Sequence, residues 1–256
     1  MIHKLALVHE KAKIAPDVEI GPWTFIDANV EIGSGSVIAS HVVIKGPTKL
    51  GKNNKVYQFA SLGEVPQDKK FHGENSCLEI GDNNIFRESC TVHRGTEQGG
   101  GVTRIGDDNL FMAYSHIAHD CVIGNKVVFS NNASIAGHVV VEDHASLGGL
   151  VGVHQFCIIG AHSFAAGGAI IYKDVPPFVT VSGYPAKASG LNSVGLERRG
   201  YSPETINALR QAYKIVFRKS FTVKEAISEL EILAADHPQV RIMIEFLLKS
   251  TRGIIR

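Results

Sequence analysis

The chain carries 12 histidines, and His119 is followed directly by a carboxylate, Asp120. Imidazole titrates near neutrality, so a neutral ring can take up a proton and release it again. A carboxylate beside it can orient the ring and stabilise the imidazolium. His116 lies three residues before His119; Gly137-His138 and His154-Gln155 follow downstream. Gly137 has no side chain to block its backbone N–H, and such an N–H can stabilise an oxyanion. Whether these groups can act together depends on the elements that place them.

They sit in a six-residue repeat. Every sixth residue from Ile2 to Leu62 is aliphatic, and the register returns at Ile80, Phe86 and Val92, then from Ile105 to Ile171. Of 26 such lead positions, 25 carry a large apolar residue, against about 11 expected from a 44% hydrophobic content. The second position is often Gly, as at Gly21, Gly33, Gly106 and Gly124; the fifth is small or β-branched, as at Val30, Ser36 and Ala133. The pattern predicts a parallel β-helix in which each hexad gives one short strand and one turn, and three hexads close a triangular coil. Lead and fifth residues point inward, and the glycines are expected to relieve strained turns. Eight to nine coils at about 4.8 Å give a prism roughly 40 Å long.

Residues one coil apart share a column. That places His119, Gly137 and Gln155 in line, with His138 and His154 beside them on one outward strip. His116 falls across the corner, and His144 and His162 on another face. Three readings of the strip remain open on residue types alone. The histidines are solvated surface groups, or they hold zinc between subunits, or they do general-base chemistry with Asp120. The order His93…His116-Ile-Ala-His119 lacks the spacing expected for the metal site.

Two excursions break the register, at about 64–77 and 94–104, and loops on rigid scaffolds often carry function. The repeat stops after Val175-Pro176-Pro177, and helical signals begin near residue 191. Ser202-Pro203-Glu204 reads as a helix start, Thr222-Val-Lys-Glu225 as a capping box, and His237-Pro238 as a break before a last helix ending near Lys249. The division is a prism over 1–189 and a helical domain over 190–256. Formal charge is +1 for the whole chain. It divides into −3 for the prism and +4 for the helical part. The small net charge argues against a nucleic-acid coat but leaves room for an acidic partner. No apolar run of about 18 residues is present, so no membrane anchor is expected. The first residues lack the pattern of a secretory signal. Four cysteines without a CxxC suit a reducing cytoplasm rather than a disulfide scaffold, and Cys121 and Cys157 fall at inward fifth positions.

Ile-Ala-His119-Asp120-Cys, Ala136-Gly137-His138, Val153-His154-Gln155-Phe156, Thr91-Val-His93-Arg94-Gly-Thr and Gly195-Leu-Glu-Arg198-Arg199-Gly resemble the acyl-[acyl-carrier-protein]:UDP-N-acetylglucosamine O-acyltransferases. The resemblance runs from Ile2 to Arg256. It implies a mainly β fold: a left-handed parallel β-helix of hexapeptide repeats followed by a small α-helical C-terminal domain. It implies a homotrimer with active sites between adjacent prisms. The reaction implied is the first of lipid A biosynthesis, transfer of an (R)-3-hydroxyacyl chain from acyl carrier protein to the glucosamine 3-hydroxyl. In that reading His119 is the general base, Asp120 its orienting partner and the Gly137 N–H the oxyanion donor. His116, His138, His154 and Gln155 place sugar and acyl groups. Asp68 and Lys70 contact the nucleotide sugar, and His93 lies in the same cleft. Asn192 and Arg198 contact uridine and phosphate, and Arg199 with the basic tail meets the acidic carrier protein. Gly167 occupies the position that measures acyl length, and without a side chain implies a chain near fourteen carbons rather than ten. No metal or organic cofactor is implied, because the thioester is already activated. Ser76-Cys77, Val194 and Tyr184 depart from common family residues near the uridine site.

Rival activities are the related N-acyltransferase, a short-chain acetyltransferase using coenzyme A, and an inactive carrier-binding scaffold. The first carries an N-terminal uridine-binding domain, for which hexads starting at Ile2 leave no expected room.

Overall fold

The computed structural model describes residues 1–256. Strands of mostly two residues wind into a left-handed β-helix with three parallel faces. The first face stacks nine strands from Leu7–Val8 to Ile170–Ile171, and the second eight from Lys13–Ile14 to Ile158–Ile159. The third has ten, from Glu19–Ile20 to an added pair at its far end. Register follows the repeat: His116 pairs with Ser134, Ser134 with Gly152, and Gly152 with Ile170. Lead residues such as Ile26, Ile44 and Ile117, and fifth residues such as Val30, Cys121 and Ala133, fill the interior. Phe86, Phe111 and Phe129 line up along its axis, the first two stacked at 5.0 Å and the last two edge-on at 5.3 Å.

The turns correct one sequence expectation. Left-handed backbone falls at the fourth residue of the hexad, and 18 non-glycine residues adopt it, including Trp23, Asn53, Asp120 and His138. The second-position glycines serve a different need. A Cβ at Gly21 would come within 2.7 Å of the Ala39 backbone, and one at Gly33 equally close to Gly51. These glycines are required by the close stacking of coils rather than by turn strain.

Both excursions leave from the corner between the first and second faces. One joins Ser61–Glu64 to Cys77–Ile80, the other Thr91–His93 to Val102–Ile105. The second ends sooner than its sequence limit, because Val102–Ile105 already pairs with Cys77–Ile80. The next coil carries His119-Asp120 at the same corner.

The prism does not end with the last hexad. Val179–Ser182 adds a parallel strand to the third face, and Lys187–Leu191 returns antiparallel to it. Four helices follow: α1 (Ser193–Arg198), α2 (Pro203–Phe217), α3 (Val223–Asp236) and α4 (Arg241–Lys249). Ser202 caps α2, and both halves of the Thr222–Glu225 capping box form at α3. Ile206, Leu209, Tyr213 and Val216 bury the apolar stripe of α2. The chain end returns to the prism: Ile255 N–H donates to the Asp174 carbonyl and Ser250 Oγ to its carboxylate at 2.6 Å.

His162 sits where the helices meet the prism. Its ring stacks on His144 at 4.6 Å and on Phe178 at 5.5 Å, and Tyr201 Oη lies 3.2 Å from Nε2. Its Nδ1 is buried without a partner. Burial, with repulsion from His144 and the Arg199 guanidinium, pushes the imidazole down to about 4. The unfolded chain therefore binds a proton that the folded one refuses below about pH 6.5. This contribution to stability is complete above that pH and is lost as pH falls toward 4. Thermal melting should drop across this window, and His162→Phe should shrink the drop; an equal drop in the variant would contradict this origin.

Candidate active site

The corner after His116–Ile117 brings two neighbouring side chains into contact. His119 Nδ1 lies 2.7 Å from Asp120 Oδ2, with side chains 14% and 0% exposed. A donor at Nδ1 leaves Nε2 as the acceptor nitrogen. The second excursion holds the carboxylate from behind. Thr96 N–H donates to Oδ1 and Thr96 Oγ1 to Oδ2, both at 2.7 Å. The Asp120 N–H in turn donates to Thr103 Oγ1 at 2.8 Å. Three donors on one buried carboxylate suit an acceptor-only group.

One coil along, Gly137 makes room for this ring. A Cβ there would stand 2.6 Å from His119 Cε1 and 2.7 Å from Nε2. The flanking N–H groups of Ala136 and His138 donate to Val153 and His119 carbonyls, each at 3.0 Å. Gly137 N–H has no protein acceptor, which is uncommon for a buried amide and leaves a donor beside the imidazole.

His138 packs edge-on against His119 at 5.2 Å and face-on against Phe156 at 4.4 Å, with Nε2 3.7 Å from Asp120 Oδ2. Burial lowers its proton affinity, while the Asp120 charge works the other way. His116 lies on the flat of the first face, its Nδ1 2.7 Å from Thr91 Oγ1, and burial followed by His119 lowers it as well. His93 meets His116 edge-on at 4.9 Å; burial and then His116 push it down to about 4. Lowered proton affinity at all three rings disfavours positive charge beside His119.

A cleft of about 560 Å³ on the first face is lined by His116, His119, Gly137, His154, Gln155 and, from the first excursion, Gln67. The structure therefore brings His116, His119, Asp120, Gly137, His138, His154 and Gln155 together, with His93 behind His116. Asp68 stands near enough for its charge to act on His138. Lys70 follows in the same turn, exposed, its N–H donating to Asp68 Oδ1 at 3.0 Å.

Asn192, Arg198 and Arg199 do not join this cleft within one chain. They line a second cavity of about 560 Å³ on the third face, with Ser146 and Phe164. Asn192 caps α1 and donates to the His162 carbonyl at 2.9 Å. Arg198 is exposed, whereas Arg199 donates to the His144 carbonyl at 2.7 Å and is partly built into the fold. Gly167 lies at the exposed corner between the third and first faces, where a Cβ would stop 3.3 Å from the Gly149 carbonyl.

His119, Asp120 and His138 offer ligand atoms within 4.8 Å of one another. A metal there would have to displace the Nδ1–Oδ2 hydrogen bond that fixes the ring. Sequence reasoning missed Thr96 and Thr103, which bond Asp120, and Gly99, which packs against it, because nothing in an off-register segment signals a contact. It also missed Arg252, which reaches back from the chain end to lie 3.1 Å from His154 Nδ1.

Known proteins share this sequence and fold along the whole chain. A family model described as UDP-N-acetylglucosamine O-acyltransferase, domain 2, matches residues 174–255, and a bacterial transferase hexapeptide model matches 11–46 and 103–137. An acyl-[acyl-carrier-protein]–UDP-N-acetylglucosamine O-acyltransferase of Thiobacillus denitrificans is 52% identical over all of this chain and 99% of its own length. The corresponding structure from Acinetobacter baumannii superposes with a TM-score of 0.98 at 46% identity, covering 100% of this chain and 99% of that one. The Moraxella catarrhalis UDP-N-acetylglucosamine O-acyltransferase gives 0.97 at 47% identity, with the same coverage. With its stacked hexapeptide coils and full-length relatives of this kind, the chain belongs to the UDP-N-acetylglucosamine O-acyltransferase family.

Proposed function

We propose that the protein transfers an (R)-3-hydroxyacyl chain from acyl carrier protein to the glucosamine 3-hydroxyl of UDP-N-acetylglucosamine, the first step of lipid A biosynthesis. The observation that carries this reading is the His119–Asp120 hydrogen bond set beside the free Gly137 N–H. His119 Nε2 takes the proton from the 3-hydroxyl as its oxygen attacks the thioester carbonyl. Asp120 steadies the imidazolium that forms. The Gly137 N–H receives the oxyanion of the tetrahedral intermediate. Collapse expels the carrier thiolate, and the imidazolium returns the proton to sulfur. The thioester supplies the activation, so neither metal nor organic cofactor is called for.

His116, His138, His154 and Gln155 position sugar and acyl groups within the cleft. His93 supports His116, and Asp68 and Lys70 approach the nucleotide sugar from the first excursion. Asn192 and Arg198 serve uridine and phosphate; a guanidinium suits diphosphate oxygens. Because these two lie on another face, a complete site requires a second copy of the chain. The corner between the third and first faces suits such packing. Its exposed column includes Trp23, Phe59, Tyr114 and Leu150, at 59, 61, 64 and 67% exposure. A homotrimer with three clefts between prisms satisfies both demands. Arg199 and the basic helical tail steer the acidic carrier protein.

No helix is long and apolar enough to cross a membrane. Four free thiols, three of them buried, suit a reducing cytoplasm.

Product should form from UDP-N-acetylglucosamine and a 3-hydroxyacyl carrier thioester, and His119→Ala should lower turnover by roughly 10²–10⁴-fold. The particle mass of that variant should stay at three times the 27.6 kDa chain. Undiminished turnover would refute the general-base role. In a graded set of acyl carrier thioesters, the open corner at Gly167 predicts that a chain near fourteen carbons outpaces one of ten. A win for the shorter chain would remove Gly167 as the length gauge.

A further inference from the structure

Both oxygens of Asp120 are held by a single residue of the second excursion. Thr96 N–H reaches Oδ1 and Thr96 Oγ1 reaches Oδ2, each at 2.7 Å, and both residues are buried. The direction of the hydroxyl is fixed as well. Gly99 N–H, shared with the Thr96 carbonyl at 3.0 Å, also donates to Thr96 Oγ1 at 3.2 Å, which occupies a lone pair and leaves the hydroxyl proton for Asp120. Gly99 has its own reason to be glycine, since a Cβ there would overlap the Asp120 carboxylate. A continuous chain of donors thus runs from Gly99 through Thr96 to the oxygen that accepts from His119 Nδ1.

We propose that Thr96 is a positioning residue of the acyl transfer: its hydroxyl, locked by Gly99, sets the rotation of the Asp120 carboxylate and through it the ring orientation and tautomer of His119. The second excursion is then the rear wall of the catalytic pair. The inference rests on the general-base reading of His119. Thr96 also begins the short turn Glu97–Gly99, so a purely structural role is the competing account.

Thr96→Val keeps size and branching but removes the hydroxyl. It should lower kcat by about tenfold to a hundredfold, the range for a hydrogen bond to a charged group. KM for UDP-N-acetylglucosamine should stay within about twofold, because no substrate contact is lost. Thr96→Ser, which restores the donor, should recover most of the loss. Should Thr96→Val fail to fold, Thr96→Ala against Thr96→Ser is read in the same way. Parental kcat in the folded hydroxyl-free variant overturns the proposal. So does a change confined to KM, or a serine variant as slow as valine. His119→Ala run in parallel separates the two claims. If it is inactive while Thr96→Val turns over normally, only the role of Thr96 falls; if it turns over normally, the general-base reading falls first.

Discussion

Coil-on-coil hydrogen bonding is the constraint on which everything else depends. Each two-residue strand is too short to persist alone, and it gains its backbone partners only from the coils above and below. That stacking locks the register, and the register turns sequence distance into spatial distance. His119 and Gly137, 18 residues apart in the chain, become neighbours so close that a methyl group on the second would strike the ring of the first. The same spacing excludes side chains at many second positions of the hexad.

Rigid stacking has a cost for chemistry, since flat faces of two-residue strands offer few concave sites. The protein meets this at one corner. Both excursions leave the prism between the first and second faces on the coils just before His119. One brings Gln67 to the cleft, and the other brings Thr96 to Asp120. The His119–Asp120 pair is thus supported by the coil on which it lies and by a loop that the repeat did not need. The candidates for uridine and phosphate, Asn192 and Arg198, fall on the third face instead, so under the proposed function a single prism carries two half-sites that assembly would join.

Much of this was legible in the residues. Lead and fifth positions gave the inward-facing columns, and column arithmetic alone grouped His119, Gly137 and Gln155. The caps of α2 and α3 could be read from Ser202-Pro203 and Thr222…Glu225, because capping is local chemistry. The strand Lys187–Leu191 could not, since its pairing depends on a neighbour outside the repeat. The reason for the glycines was also misread, because local turn preference hides an encounter between successive coils. Thr96 and Arg252 escaped notice for a related reason: their partners lie 24 and 98 residues away, in places no period connects.

The central claim is that Asp120 orients His119 as the base. Asp120→Asn tests it most directly, because an amide preserves shape but offers its neighbours a different set of donors and acceptors. If the carboxylate fixes the tautomer, turnover should fall roughly a hundredfold or more, with KM for UDP-N-acetylglucosamine little changed. Turnover near that of the parent would contradict the account.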